Sequence, residues 1–353
     1  MQKLKCKICD FESGNLFPHL VEKHGGEAGA KEYGRQHGKD AIIHPDLQNK
    51  FLKFSIGSSE ALVRSDVPVS LKTFIPKLNE NYQFQTFASD VLLDLTEEKS
   101  VPSMLTGHTG TGKTSLYEQI AARLNQPLLR VNVNGQTTIS DFVGLWTVKG
   151  GETVWVDGAL PWCMKNGVWL IVDEIDFAES AILSVLNSVL EVGGSLVLKE
   201  KGDEVVRPNK NFKICATANT AGCMTEWRHL YQGTNILNDA FIDRWRLYVV
   251  DYLPEDAEAK VLQAIKGMTP RVAKHMCQVA NAIRKSFIEE DLQNTFSTRR
   301  LLDWGYLLTR HRHLKAEAPL RAAEAAIFSK VSREDKVVIE GIIQRVLRSR
   351  REP

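Results

Sequence analysis

From Tyr82 onward, short unbroken apolar runs alternate with stretches in which apolar residues fall three and four positions apart. The runs Ser103-Met104-Leu105-Thr106, Leu128-Leu129-Arg130-Val131 and Val168-Trp169-Leu170-Ile171-Val172 read as strands buried on both faces. The stretches at 115–124 and 178–190 read as amphipathic helices. Strands alternating with helices predict a doubly wound α/β layer with a parallel sheet. Past Leu253 the strand pattern stops, and 255–266, 271–290, 297–312, 317–330 and 333–349 all carry the helical period. A helical lid therefore follows the α/β layer. Two further segments alternate with period two around turn residues. Phe142 to Val148 and Thr153 to Val156 flank Lys149-Gly150-Gly151-Glu152, and Leu196 to Lys199 and Glu204 to Arg207 flank Glu200-Lys201-Gly202-Asp203. Both predict β-hairpins.

The pattern divides the chain into a Cys/His-containing module at 1–25, a linker or collar at 26–80, an α/β core at 81–253 and a helical lid at 254–353. The collar reading rests on a Gly/Ala-rich opening and on Pro45, Pro68 and Pro76.

Composition narrows the class. The 353 residues are 43% hydrophobic and 25% charged with a net charge of +2, which fits a globular protein and gives no global pull toward nucleic acid or membrane. No apolar run reaches the roughly 18 residues of a membrane helix, and Met1-Gln2-Lys3-Leu4-Lys5 is too polar for a secretory leader. Cys163, Cys215, Cys223 and Cys277 are scattered rather than arranged as a disulfide framework, so a reducing cytoplasm is the expected location.

The first chemistry-bearing motif is Gly107-His108-Thr109-Gly110-Thr111-Gly112-Lys113-Thr114, a full match to G-x4-G-K-[ST] between a strand and a helix. Glycines let main-chain N–H groups converge on phosphates, and the helix N-terminus adds its dipole. Lys113 is expected on the β- and γ-phosphates of ATP, Thr114 on Mg²⁺, and Ser115 beside them. The second motif is the pair Asp173-Glu174 at the end of an apolar strand. Adjacent carboxylates there need a cation. Asp173 is expected to hold Mg²⁺ and Glu174 to act as general base on the attacking water.

A third motif lies apart. Cys6-x2-Cys9-x9-His19-x4-His24 offers four ligands suited to tetrahedral Zn²⁺, with Phe11 and Leu16 as the expected small core. The gap of nine residues between Cys9 and His19 is shorter than the ~12 of C2H2 fingers. Residues 1–40 carry seven Lys or Arg against six Asp or Glu, so docking to protein is favoured over reading DNA. The basic end Arg345, Arg348, Arg350 and Arg351 suits a helix C-terminus.

At the phosphate loop and the acidic strand the sequence resembles the AAA+ superfamily, its MoxR-like branch, and within that the CobS-type ATPase subunits of aerobic cobaltochelatases. Phe74-Ile75-Pro76-Lys77-Leu78, Tyr82-Gln83-Phe84, Leu160-Pro161-Trp162, Leu230-Tyr231-Gln232-Gly233-Thr234 and Ile242-Asp243-Arg244-Trp245 carry the resemblance from about Val69 to Trp304. It implies a P-loop NTPase core. By the same resemblance, Asn219 in Ala216-Thr217-Ala218-Asn219 is the sensor-1 residue orienting water. Arg244 is the arginine finger reaching the neighbouring subunit's γ-phosphate, and Arg299, with Arg300 as competitor, is sensor 2. Arg244 alone would read as a surface pair with Asp243 or Asp239. The two hairpins correspond to the helix-2 insert and the pre-sensor-1 hairpin, where Trp146 and Trp155 either grip a substrate or pack across the strands.

The function implied is an ATP-hydrolysing motor working as a homo-oligomeric ring, expected as a hexamer. It would remodel a protein partner that carries a metal-dependent adhesion domain, as the CobT-type subunit does. A nucleic-acid motor anchored by the finger is the alternative. The mixed charge of the second hairpin, Lys199, Lys201 and Arg207 against Glu200, Asp203 and Glu204, disfavours it.

Overall fold

The computed structural model describes residues 4–9, 11–13, 16–24, 32–33, 35–37, 52–98, 101–191 and 193–348. Residues 26–31, 34 and 38–51 of the expected 26–80 linker or collar, and Arg350 and Arg351, lie outside these. The centre is a five-stranded sheet whose strands we number in chain order: β1 (Ser103–Thr106), β2 (Leu128–Asn132), β3 (Trp169–Asp173), β4 (Ile214–Ala218) and β5 (Arg246–Val249). Their order is β5-β1-β4-β3-β2, and every pairing is parallel.

Successive residues of these strands feed two different cores, as period-two geometry demands. On one face Leu105, Ile171 and Cys215 pack with α1 (Ala88–Thr96) and α2 (Lys113–Arg123). On the other, Met104, Leu170, Val172 and Ala216 pack with α3 (Ala159–Asn166) and α4 (Ser180–Leu190). Helices on both faces are what a parallel sheet requires, since neither face meets water.

The lid has its own core. Helices α5 (Glu255–Gln263), α6 (Pro270–Ile288), α7 (Thr298–Arg310), α8 (Ala318–Ala326) and α9 (Arg333–Arg348) bury Phe287, Phe296, Leu301, Trp304 and Ile343 among them. Side-chain oxygens of Thr269 and Ser297 cap α6 and α7 by accepting main-chain N–H groups, as N-cap residues do.

Two expectations change. The chain from 52 to 71 does not behave as a linker. Lys53–Ile56 and Ser59–Leu62 form an antiparallel pair whose Ile56 and Ala61 enter the α1/α2 core, and Val67 and Leu71 enter the opposite one. The first hairpin starts later than its apolar pattern implied. Phe142 and Val143 belong to the helix Ile139–Val143, which a reciprocal Thr138–Asp141 capping box starts. Such a box satisfies two orphan N–H groups at once, and this local chemistry wins over the run of apolar residues. The strands are Gly144–Lys149 and Glu152–Asp157, with Trp146 opposite Trp155.

Candidate functional site

The phosphate loop leaves β1 and enters α2, with Gly112 in the left-handed region as N-cap. Two of its glycines are enforced by close approach. Gly107 has φ 152°, and a Cβ there would stand 2.2 Å from the Val250 carbonyl oxygen. Gly110 has φ 76°, and its Cβ would stand 2.3 Å from the Ser297 Cβ. The lid thus seats directly on the loop.

Lys113 is buried and spends its ammonium protons inside the site. They go to the Gly107 carbonyl at 2.7 Å, the His108 carbonyl at 3.0 Å and Asn219 Oδ1 at 2.9 Å. Burial pushes this ammonium down to about 8, against the pull of Asp176, Asp173 and Glu174. Thr114 donates its hydroxyl to Asp173 Oδ1 at 2.7 Å. The loop and the acidic strand, 59 residues apart in sequence, therefore meet at an oxygen pair suited to a hard divalent cation. Asp173 also accepts Arg130 Nε at 2.8 Å and the Thr217 hydroxyl.

Glu174 follows β3 in a left-handed conformation, φ 58° and ψ 45°. That is a costly position for a residue with a side chain, and costly positions cluster where function over-determines them. Its N–H donates to Thr217 Oγ1 at 3.0 Å. Burial, then the neighbouring charges of Asp173 and Asp176, raise its carboxyl above the usual range. A more basic carboxylate is a better proton acceptor.

The sequence reading missed several members of this cluster. Asp176 is fully buried, and one of its oxygens accepts the Asn219 N–H at 2.9 Å, the Thr220 N–H at 3.0 Å and the Thr220 hydroxyl at 2.9 Å. It fixes the main chain that points Asn219 at Lys113. Its other oxygen has no partner among the described residues. An acid two positions past Glu174 in an apolar run was the available signal. For Arg130 it was a charge inside the apolar run Leu128-Leu129-Arg130-Val131.

Two clefts open beside the loop. One, of about 310 Å³, has Gly110, Gly112 and Ser115 on one wall and Tyr82, Leu253 and Leu302 on the others. Its apolar walls suit a nucleobase. The other, of about 760 Å³, lies between Thr109, Tyr231 and the α7 N-terminus. Arg299 lines both, whereas Arg300 lines only the second and is half-buried. His108 and Thr109 are held through Tyr231, whose hydroxyl is 3.0 Å from His108 Nδ1 and accepts the Thr109 N–H at 3.2 Å. Thr111 bonds back to the His108 carbonyl at 2.9 Å.

Arg244 stands apart from this group. It pairs with neither Asp243 nor Asp239, but with Glu191 at 2.7 Å through both Nε and Nη2, and with the Ala240 carbonyl. Of the hairpin tryptophans, Trp146 meets Trp155 edge-on at 5.6 Å and donates its indole N–H to the Glu200 carbonyl at 2.8 Å. The first hairpin is thereby pinned to the turn of the second.

At the N-terminus, the ligand atoms of Cys6, Cys9, His19 and His24 all lie within 4.8 Å of one another. His24 Nε2 is 3.8 Å from Cys6 Sγ, 3.2 Å from Cys9 Sγ and 3.2 Å from His19 Nε2, and Cys9 Sγ is 3.0 Å from His19 Nε2. Leu16 is buried as expected, but Phe11 is exposed and stacks on the His19 ring at 4.2 Å. Tyr33 takes the inner place beside Cys6, Leu16 and Leu20, so this module reaches beyond residue 25. Among the described residues no helix is long and apolar enough to cross a membrane.

The chain matches two protein families, the AAA domain (dynein-related subfamily) over residues 102–244 and the CbbQ/NirQ/NorQ C-terminal family over residues 258–348. It is similar to the aerobic cobaltochelatase subunit CobS of Sinorhizobium sp, 36% identical over 242 residues, covering 65% of this chain and 72% of that protein. Protein CbbQ of Hydrogenophilus thermoluteolus is 29% identical over 233 residues, covering 66% of this chain and 81% of that protein. Protein NorQ of Paracoccus denitrificans is 27% identical over 266 residues, covering 75% and 89%.

Proposed function

We propose, because the chain belongs to the MoxR-like family of AAA+ ATPases, that it hydrolyses ATP between the subunits of a homo-oligomeric ring and uses the resulting motion to remodel a partner protein. One observation carries the site assignment: Thr114 Oγ1 and Asp173 Oδ1 lie 2.7 Å apart beside Lys113, whose ammonium already bonds Asn219. ATP would lie along the loop from Gly107 to Ser115, with its base in the apolar cleft. Thr114 and Asp173 would hold Mg²⁺. That ion fits, because the carboxylates of Asp173, Glu174 and Asp176 raise the proton affinity of their neighbours and call for a compensating cation. Bound there, magnesium neutralises phosphate charge.

The protein's own groups do the rest. Lys113 exchanges loop carbonyls for phosphate oxygens. Glu174 takes the proton of the attacking water, and Asn219 orients that water. Arg299 meets the γ-phosphate from the lid of the same subunit, and Arg244 meets it from the neighbour. The partner we favour is a protein with a metal-dependent adhesion domain, in line with the resemblance to CobS-type subunits. Whether the output is metal insertion in a cobaltochelatase-like complex is decided by that partner. Phosphate release from ATP, with and without Mg²⁺, tests the first half; no magnesium-dependent turnover would overturn it. Capture of partners on a Glu174→Gln ring held in ATP tests the second. Recovery of nuclease-sensitive DNA there instead would transfer the assignment to a nucleic-acid motor.

The depressed Lys113 sets a pH dependence. The free ammonium titrates at about 8, and bound phosphates pull that value back up. Above about pH 8 binding therefore takes up a proton, and affinity falls by up to about tenfold per pH unit. Calorimetry near pH 9 in two buffers of different ionisation enthalpy should show uptake approaching one proton. No uptake would overturn either the depressed proton affinity of free Lys113 or its place on the phosphates.

The Cys6, Cys9, His19 and His24 cluster is proposed to hold one structural Zn²⁺. Their four converging atoms match a closed tetrahedral donor set, and a module this small has little core without a metal. Elemental analysis should find one zinc per chain, falling to none in Cys9→Ser with ATP turnover retained. A metal-free wild-type protein sinks the assignment.

A further inference from the structure

Thr109, in the phosphate loop, is gripped at both its main-chain polar groups from outside the loop. Its N–H donates to the Tyr231 hydroxyl at 3.2 Å, and its carbonyl accepts from the Tyr252 hydroxyl at 3.1 Å. Tyr252 stands between β5 and α5, where the α/β core hands over to the lid. Its hydroxyl is also 3.0 Å from Thr295 Oγ1, and its ring lies 3.9 Å from the Arg284 guanidinium.

Arg284 is a buried cation of the lid with every nitrogen engaged. Nη1 and Nη2 reach the two oxygens of buried Glu258 at 2.8 and 2.7 Å, and Nε donates to the Phe296 carbonyl at 2.8 Å. Glu258 also accepts the Thr298 hydroxyl at 2.6 Å. Thr298 opens α7, and the next residue, Arg299, faces Gly110 and Thr111 across the smaller cleft. Contacts thus run unbroken from Thr109 through Tyr252, Arg284 and Glu258 to Thr298.

Chemistry favours a relay over a mere filler. A buried ion pair adds little net stability, but neither partner can slip without stranding a charge. A phase of the lid that moves with this pair moves as a unit. Burial raises the Tyr252 phenol to about 12, so its proton is present at any physiological pH and available to the Thr109 carbonyl. Packing alone would need the ring and not the hydroxyl.

We propose that Tyr252 is a positioning residue that couples the phosphate loop to the lid: its hydroxyl holds the Thr109 carbonyl and Thr295 while its ring lies on Arg284 of the Arg284–Glu258 pair, so that filling the loop with phosphate re-aims Arg299. The inference rests on the nucleotide reading above.

Y252F keeps the ring and its contact with Arg284 and removes only the hydroxyl. The measurement is amide hydrogen exchange over residues 298–304, with and without a magnesium complex of a non-hydrolysable ATP analogue, with analogue affinity taken by calorimetry on the same samples. Y252F should bind the analogue within about threefold of wild type, yet lose at least about half of the protection it induces in α7. Its kcat should fall roughly three- to tenfold with KM for ATP nearly unchanged, the scale of one lost hydrogen bond. Y231F releases the Thr109 N–H and the His108 imidazole but leaves the Tyr252, Arg284, Glu258 and Thr298 contacts in place, and should keep the protection. Wild-type protection and kcat in Y252F would overturn the coupling, as would equal losses in both variants. A wild-type protein that fails to bind the analogue would instead overturn the nucleotide reading itself.

Discussion

Glu174→Gln is expected to lower ATP turnover by about 10²- to 10⁴-fold while ATP still binds. The two halves of that result have separate causes. The amide cannot accept the proton of the attacking water, so the chemical step loses its base. Binding survives because Glu174 makes no hydrogen bond to the loop among the described residues and acts on it only through its charge on Lys113. Burial, and then repulsion from neighbouring Asp173 and Asp176, raises its carboxyl. Removing one negative charge relieves that repulsion beside a phosphate-binding site, so ATP affinity should hold or improve. The left-handed backbone at φ 58° is main-chain geometry, and glutamine is the substitution that disturbs it least. Single-turnover hydrolysis with equilibrium binding on the same preparation checks both halves. Turnover within about threefold of wild type would assign the base elsewhere, and Asp176, one of whose buried oxygens has no partner among the described residues, would be the next carboxylate to test.

What the sequence made legible was local. The phosphate loop is contiguous, and its glycines are spelled out because the backbone has no alternative at Gly107 and Gly110. The strands of the sheet were readable because burial on both faces leaves apolar runs, and the lid helices because their apolar stripes keep the 3.6-residue period. What escaped was pairing across the chain. Arg130 reaches Asp173 over 43 residues, and Tyr252 reaches Thr109 over 143. Nothing at Tyr252 marks it out from other surface-competent residues until the fold brings it in, and the charge of Arg130 inside an apolar run signals a partner without saying which. Asp176 was a partial exception, since an acid inside an apolar stretch is expensive unless paired. The Trp146 and Trp155 alternatives were undecidable for the same reason. Their opposition in the hairpin follows from register, and the Glu200 carbonyl that takes the Trp146 indole N–H lies 54 residues away. At 142–143 the reading failed by weighing apolar alternation above a capping box four residues upstream.

Arg244→Ala is expected to cost the largest factor, about 10³- to 10⁵-fold in kcat, with ATP binding and ring assembly intact. Among the described residues Arg244 has the Glu191 carboxylate and one main-chain carbonyl for partners, and that carboxylate's side chain is 58% exposed. An ion pair this open to water holds its arginine weakly, by roughly 1 kcal/mol or less. A phosphate on an adjoining subunit, offering bidentate oxygens in a drier setting, would outcompete it. Two controls separate this from a structural role. Glu191→Ala breaks the same pair from the other side. If Arg244 matters only as Glu191's partner, the two variants should fail alike; if it is a finger, Glu191→Ala should turn over at least as fast as wild type. Mixing Arg244→Ala chains with Lys113→Ala chains, each inactive alone, places the action. A finger that works across the boundary lets the intact Arg244 of a Lys113→Ala subunit serve the intact loop of its Arg244→Ala neighbour, so mixed rings recover turnover. Rings that stay silent on mixing would confine Arg244 to its own subunit and leave the transition-state charge to Lys113 and Arg299.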